Sequence, residues 1–231
     1  MKTIGLIGGM SWESTVPYYR IVNEAVRERL GGLHSARAIL YSVDFAELEP
    51  RMRAGRWDEI GAALAAAARA VEGAGAELLV LCTNSMHRVA EAIEAAVAIP
   101  LLHIADPTGE AIRRRGIAKV GLLGTSFTME QGFIRDRLRD RHGLDVVVPG
   151  AADREMVNRV VFEELCLGKV LEASRAHYRR VIAGLAAAGA EGVILGCTEI
   201  AMLVDASDSP VPLFDTTALH ARAAVDLALA T

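Results

Sequence analysis

Residues 75–84 read GAELLVLCTN, and residues 189–199 read GAEGVILGCTE. In each stretch an apolar run suited to a buried parallel strand ends in a Cys-Thr pair, after which polar residues open a new segment. Cys82 and Cys197 therefore stand at matching places in the two halves of the chain. Two such thiols are suited to removing a proton from one face of a carbon atom and returning it from the other.

The rest of the chain repeats with a similar spacing. Apolar runs alternate with longer segments of helical period, which is typical of parallel α/β architecture. Gly5 and Gly8 recur 116 residues later as Gly121 and Gly124. Strands are predicted over residues 4–7, 38–43, 78–81 and 99–104 and again over 120–125, 146–148 and 211–215, with helices over 14–30, 60–71, 85–96, 174–188 and 218–230.

This repetition predicts an α/β fold of two similar doubly wound parallel-sheet domains related by a pseudo-twofold axis. Because ligands bind where parallel strands end, the active site is expected between the two domains. The terminal strand of each half, at residues 99–104 and 211–215, is expected to cross to the opposite domain. The predicted first domain is residues 1–99 plus 211–231, and the second is residues 100–210.

Composition narrows the class of protein. Of the 231 residues, 52% are hydrophobic and 23% are charged, which is typical of a compact globular protein. The formal net charge of -4 comes without a basic stripe, so nucleic acid is not an expected partner. No run of about 18 apolar residues and no signal-peptide pattern is present, so no membrane partner is expected and a cytoplasmic location is predicted. The oligomeric state stays open, with a homodimer among the alternatives.

The three cysteines are too few and too widely spaced for a disulfide framework. Cys82 and Cys197 are each followed by polar residues that can cap a helix, and a helix N-terminus lowers the pKa of a thiol. Both are therefore expected to be free thiols that are partly ionised near neutral pH. Cys166, in a helical-looking apolar run, is interpreted as buried filler.

Polar groups collect near the other predicted strand ends. Two glycine turns, Gly8-Gly9-Met10-Ser11 and Gly124-Thr125-Ser126, present amides and hydroxyls that suit a carboxylate, and neither matches a nucleotide-binding fingerprint. His87 and Glu199 lie beside the two thiols and are candidates for stabilising a thiolate or holding an ammonium group, with ordinary surface roles as the alternative. His103, Asp106 and Asp215 are further candidates. No pattern of histidines and carboxylates indicates a metal site.

Gly8-Gly9-Met10-Ser11, Cys82-Thr83-Asn84-Ser85-Met86-His87 and Gly196-Cys197-Thr198-Glu199 together resemble the aspartate/glutamate racemase family over essentially the whole chain. The resemblance implies an isomerase, a racemase of amino acids that needs neither pyridoxal phosphate nor a metal. It implies Cys82 and Cys197 as the catalytic pair. From their positions beside Cys82, Thr83 is the other candidate acid or base on that side and His87 is a candidate supporting residue. The residues expected to bind the substrate are Gly9, Met10, Thr83, Asn84, Ser85, Thr125, Thr198 and Glu199.

Substrate specificity is where the chain departs from the family's pattern. Aspartate-specific members use an arginine after the second strand and a lysine shortly before the position of Gly168. Here the nearest positions hold Leu48, Cys166 and Leu167, with Arg51, Arg53 and Lys169 close by in sequence. A small-molecule amino acid is therefore the expected substrate, without restriction to aspartate.

Other chemistry remains open. Hydantoin racemisation and maleate isomerisation would use the same two thiols, whereas a malonate decarboxylase needs a proton donor on one face only. A two-lobed protein that binds an amino acid without changing it is an alternative from a different class, but binding alone does not require the two thiols.

Overall fold

The computed structural model describes residues 1–230. They form two compact units: residues 1–104 joined by the segment from residue 220 onward, and residues 105–219. None of the helices among residues 1–230 is long and apolar enough to cross a membrane.

The first unit alternates strands and helices. Its strands are β1 (Ile4–Gly8), β2 (Ala38–Ser42), β3 (Leu78–Leu81) and β4 (Leu101–Leu102). Its helices are α1 (Trp12–Leu30), α2 (Phe45–Arg53), α3 (Trp57–Gly73) and α4 (Ala90–Glu94), and a 3-10 helix covers Ser85–Val89. The strands are parallel and lie in the order β2-β1-β3-β4.

The second unit repeats this arrangement. Its strands are β5 (Lys119–Leu123), β6 (Asp145–Val147), β7 (Val193–Leu195) and β8 (Leu213–Asp215). Its helices are α5 (Ala105–Arg114), α6 (Ser126–Glu130), α7 (Gly132–His142), α8 (Ala151–Glu163), α9 (Glu172–Ala187) and α10 (Ile200–Leu203), with 3-10 helices at Leu165–Leu167 and Ala206–Asp208. The parallel order β6-β5-β7-β8 matches that of the first sheet, and α11 (Thr216–Leu229) carries the chain back to the first unit.

Each sheet is buried under helices whose apolar residues recur at helical spacing. In α1 the side chains of Tyr18, Val22 and Ala25 are fully buried, and they pack in one cluster with strand residues such as Leu6 and Val80. Helix α9 buries Tyr178 and Ile182 in the same way in the second unit. The predicted two-sheet α/β fold is thus confirmed.

The positions of the unit boundaries differ from the expectation. Strand β4 pairs with β3 through Leu79 and Leu101, and β8 pairs with β7. Each terminal strand therefore stays in the sheet of its own half, so residues 100–104 belong to the first unit and residues 211–219 to the second.

Two predicted elements are shorter or different in type because side chains capture their backbone groups. Only Leu101–Leu102 of the predicted strand 99–104 forms a ladder, since the Ile99 N–H donates to Glu72 and the Ile104 N–H donates to His87. The predicted helix over 85–96 begins as a 3-10 helix. An α-helix would pair the Thr83 carbonyl with the His87 N–H, but that carbonyl accepts from the His87 imidazole instead.

Candidate active site

The chain leaves β3 through residues 82–85, here called the Thr83 loop. The Cys82 N–H continues the ladder by donating to the Ile7 carbonyl at 2.8 Å, and the Thr83 N–H folds back onto the Leu81 carbonyl at 2.8 Å. Thr83, Asn84 and Ser85 are all buried. The loop therefore presents a fixed set of small polar groups directly after a central strand.

Cys82, the first residue of this loop, has its side chain in the core. Its side chain is 0% exposed, and its thiol donates to the Val80 carbonyl of its own strand at 3.8 Å. It packs in the same apolar cluster as Ile4, Leu6 and Val80. This placement favours a core role for Cys82 over the expected catalytic one.

The corresponding stretch of the second unit, residues 196–199, follows β7 and is here called the Cys197 loop. The Gly196 N–H donates to the Leu123 carbonyl at 2.6 Å. The Cys197 thiol then donates to Glu199 Oε2 at 2.8 Å, and the Thr198 hydroxyl donates to the same oxygen at 2.8 Å. All three side chains are buried, so the structure confines a carboxylate and a thiol to one protected cluster.

When the two loops are aligned by their backbone hydrogen bonds, the two cysteines are offset by one residue. Cys82 and Gly196 make the same bond, because each follows the last residue of its strand and donates to the neighbouring central strand. The next residue along is Thr83 in the first unit and Cys197 in the second. The backbone register therefore makes Thr83, and not Cys82, the counterpart of Cys197.

The expectation that both thiols are partly ionised near neutral pH is wrong for this structure. Burial raises the pKa of the Cys82 thiol. Burial, followed by the negative charge of Glu199, raises the pKa of the Cys197 thiol well above its ordinary value. The segments after the loops are a 3-10 helix of 5 residues and a helix of 4 residues, so neither supplies the macrodipole of a long helix.

Of the two glycine turns, the first is closed to a ligand at its amide. The Gly9 N–H donates to the Thr15 hydroxyl at 2.8 Å, so that amide has a partner within the protein. Gly9 has φ +90, and a side chain there would collide with the Val43 carbonyl, so the turn requires glycine. Met10 follows it and is buried.

The second turn is a helix start. Thr125 caps α6, accepting from the Thr128 N–H at 3.3 Å, and it is buried. The strand ends approach closely here, because a Cβ on Gly124 would lie 2.8 Å from the Gly196 carbonyl oxygen. Thr125 thus follows β5, the strand that pairs with β7, whose end carries the Cys197 loop.

His87 and His103, both buried, lie together in the first unit with ring centroids 4.5 Å apart. The His87 Nδ1 donates to the Thr83 carbonyl at 2.7 Å, and its Nε2 accepts from the Ile104 N–H at 3.2 Å. His87 therefore contacts the Thr83 loop through the backbone.

Two of the weaker candidates have structural partners. Asp106 pairs with Arg137 at 2.6 Å between α5 and α7; burial alone would raise the pKa of Asp106, but Arg137 and its neighbours hold it below the ordinary value. Asp215 accepts from the N–H groups of Thr217 and Ala218 at the start of α11, and burial raises its pKa. Both serve the fold directly.

The charged residues near the expected specificity positions are paired or exposed. Arg51 lies 3.6 Å from Glu59, Arg53 pairs with Glu49, and Lys169 is exposed. Leu48 is buried in α2, and Leu167 is 60% exposed.

Two residues near the Cys197 loop were missed or misread in the sequence. Cys166 is half-buried, and its thiol lies 3.8 Å from Glu199 Oε1, so it borders the candidate site and is not core filler. Tyr178 packs in the same cluster as Cys197, with its hydroxyl donating to the Val157 carbonyl. No sequence motif marks either residue.

Within residues 1–230, no group of three or more histidines, cysteines and carboxylates could hold a metal ion.

Comparison with known proteins agrees with this organisation. A family model for Asp/Glu/hydantoin racemases matches residues 7–224. The crystal structure of a candidate Asp/Glu racemase from Yersinia pestis is 58% identical over 100% of both chains, with a TM-score of 0.92. An aspartate racemase homologue from Pyrococcus horikoshii is 37% identical over 99% of each chain, with a TM-score of 0.84. The broad specificity amino-acid racemase RacX of Bacillus subtilis is 24% identical over 98% of each chain.

These matches define the class as that of the amino-acid racemases, which are isomerases. The chain belongs to the Asp/Glu/hydantoin racemase family, as its motifs predicted.

Proposed function

We propose that this protein racemises amino acids at Cα without a cofactor, by a two-base mechanism that Cys197 serves on one face and the Thr83 loop on the other. The observation that carries the proposal is the buried hydrogen bond of 2.8 Å from the Cys197 thiol to Glu199 Oε2. A carboxylate at this distance can take the thiol proton and leave a thiolate that acts as the base.

The raised pKa of Cys197 is consistent with this role. In the free protein the negative Glu199 and the burial keep the thiol protonated. A bound amino acid brings a positive ammonium group into the buried cluster, and a nearby positive charge favours a thiolate. The thiolate removes the Cα proton, a proton donor on the other face supplies a new one, and the roles exchange for the other enantiomer.

On the opposite face the register and the burial favour Thr83 over Cys82. Thr83 has the backbone position of Cys197, whereas the Cys82 thiol points back to its own strand. A hydroxyl is far more acidic than the carbon acid of an amino acid, so it can protonate the carbanion. The alkoxide that this leaves takes a proton back from water, or it removes the Cα proton when the other enantiomer reacts. Cys82 is the alternative that a mutation can test.

The substrate's own charges are matched by polar groups of the Thr83 loop, of the Cys197 loop and of Thr125 at the start of α6. The α-carboxylate suits the backbone amides and hydroxyls of the polar residues Asn84, Ser85, Thr125 and Thr198, all of which are buried. The Cys197–Glu199 pair, which shares one proton, carries a single negative charge that is the counter-charge for the ammonium group.

We expect broad specificity because the positions expected to hold a substrate's side-chain carboxylate carry no cation. A buried β-carboxylate without a cation costs several kcal/mol. The positions expected to supply one hold Leu48, Cys166 and Leu167, and Arg51 and Arg53 are paired with glutamates. The relative in Bacillus subtilis is itself a broad specificity amino-acid racemase, which supports the same conclusion.

The test is deuterium exchange at Cα. The protein is incubated in heavy water with single L-amino acids, and the Cα–H signal is followed by NMR while chiral chromatography follows the D-enantiomer. We expect exchange and racemisation with no added cofactor and no effect of EDTA. An amino-acid panel with no exchange would refute the proposal, and including a substituted hydantoin in the panel tests the other activity that the family model covers.

A further inference from the structure

The protonation of His87 follows from two of its hydrogen bonds. The Ile104 N–H can only donate, so His87 Nε2, at 3.2 Å, carries no proton. The Thr83 carbonyl can only accept, so Nδ1, at 2.7 Å, carries one. The neutral imidazole of His87, which is 2% exposed, therefore connects the Thr83 loop to Ile104.

This bridge aims the peptide between Thr83 and Asn84. A trans peptide is planar, and its C=O and N–H point in opposite directions. Holding the Thr83 carbonyl toward His87 therefore turns the Asn84 N–H away from it. The same bond replaces an α-helical bond, which is why the following turn is a 3-10 helix.

A second buried histidine of the same unit provides a comparison. His220, 0% exposed, donates from Nε2 to the Leu102 carbonyl at 2.8 Å and accepts at Nδ1 from the Tyr18 hydroxyl at 2.9 Å. Its ring lies 5.8 Å from that of His87. His220 thus shares the burial and the bonding pattern of His87 but has no bond to the Thr83 loop.

We propose that His87 is a positioning residue, which fixes the Thr83–Asn84 peptide through its Nδ1 proton so that the loop is preorganised for the Cα of the substrate. The inference rests on the proposed racemase function, because it assigns the loop to the reaction. His87 acts through Thr83 and Asn84 and does not itself touch the substrate.

Two substitutions separate the two bonds of His87. In His87→Asn the side-chain amide reaches the Nδ1 position and keeps the donor to the Thr83 carbonyl, while the bond to Ile104 is lost. In His87→Gln the amide oxygen reaches the Nε2 position and keeps the bond to Ile104, while the donor to Thr83 is lost. His220→Asn is the matched control, since it loses one buried bond, to the Leu102 carbonyl.

Each of the three variants loses one of the hydrogen bonds described above, so comparable decreases in melting temperature are expected. We expect kcat to fall about tenfold to a hundredfold in His87→Gln and to stay within about threefold of wild type in His87→Asn and His220→Asn. Equal kcat values in the two His87 variants, or a kcat that follows the melting temperature in all three, would overturn the proposal.

Amide hydrogen exchange over residues 83–87 gives a readout that does not depend on activity. Faster exchange in His87→Gln but not in His87→Asn supports the positioning role, and identical exchange in both overturns it. A wild-type protein that fails to exchange Cα hydrogen would refute the racemase function, while this measurement still reports on the bond.

Discussion

Thr83 and Cys197 occupy the same backbone position in the two sheets. Each is the second residue after the last residue of a central strand, and in each case the preceding N–H donates to the neighbouring strand. Cys82, which shares its residue type with Cys197, lies one position earlier and in the core.

This relationship predicts different outcomes for neighbouring substitutions. Thr83→Ala is expected to lower racemisation about a hundredfold or more, because one proton donor is lost. Exchange of the α-proton from the enantiomer that faces Cys197 should persist. Thr83→Ser, which keeps the hydroxyl, and Cys82→Ala, which removes the buried thiol, should both retain activity within a few-fold. Full activity in Thr83→Ala and loss in Cys82→Ala would instead identify Cys82 as the second acid or base.

Glu199 is expected to control the ionisation of Cys197. In Glu199→Gln the negative charge is gone, so the pKa of the Cys197 thiol falls and the pH profile of its alkylation by iodoacetamide shifts to lower pH. Racemisation should fall about tenfold to a hundredfold, since the proton acceptor is lost. The measurement uses a Cys166→Ala background. Glu163→Gln, at an exposed position of α8, is the control, and an equal shift there would contradict the prediction.

The buried thiols predict a loss of stability at alkaline pH. The pKa values of both thiols are raised in the folded protein above the ordinary thiol value of about 9.0. Above that pH the thiols of the unfolded chain ionise while those of the folded protein do not. The contribution of the thiols to the free energy of unfolding is therefore complete below about pH 9.0 and is lost as the pH rises further. Each thiol should lower the free energy of unfolding by about 1.4 kcal/mol per pH unit in that range. Urea unfolding at several pH values between roughly 8 and 10.5 measures how steeply the free energy of unfolding falls with pH. Cys82→Ala should remove one thiol's share of it, and an unchanged slope would be evidence against a buried, protonated Cys82.

The sequence predicted the strands well because their signals are local. Apolar runs bounded by glycines located β1, β3 and β5 to within about two residues, and the repeated order gave the two sheets. The one-residue offset between Cys82 and Cys197 could not be predicted. The shared residue type suggested equivalent positions, but the register of each strand depends on its pairing with a neighbouring strand. The bonds of His87 to Ile104 and of Cys166 to Glu199 join residues that are 17 and 33 positions apart, and only the fold brings them together.

Substrate range is predicted from the missing cations. Uncharged and longer L-amino acids should be racemised as well as, or better than, aspartate, as measured by kcat/KM over a panel. A preference for aspartate above about a hundredfold, roughly 2.7 kcal/mol of transition-state discrimination, would mean that Arg51, Arg53 or Lys169 reaches the substrate.

The glycine turn after β1 gives a prediction about stability. Gly9→Ala is expected to cost about 3 kcal/mol or more, because the new Cβ meets the Val43 carbonyl in a left-handed backbone conformation. Gly55 also has a positive φ, but nothing lies near its missing side chain, so Gly55→Ala should cost only about 1 kcal/mol. Equal costs by urea unfolding would show that the turn can relax.

The order in which the two cores can be completed during synthesis follows from the route of the chain. The second unit is continuous over residues 105–219, and the buried cluster around Tyr178 comes from residues 123–204. The first unit needs Ala221, Ala224, Val225 and Ala228 from α11 to close the apolar cluster around Leu6 and Val80. On the ribosome the strands of the first unit therefore lack the cover of α11 on one face until the whole second unit has been translated. During that interval the nascent chain is most exposed to chaperones and to aggregation.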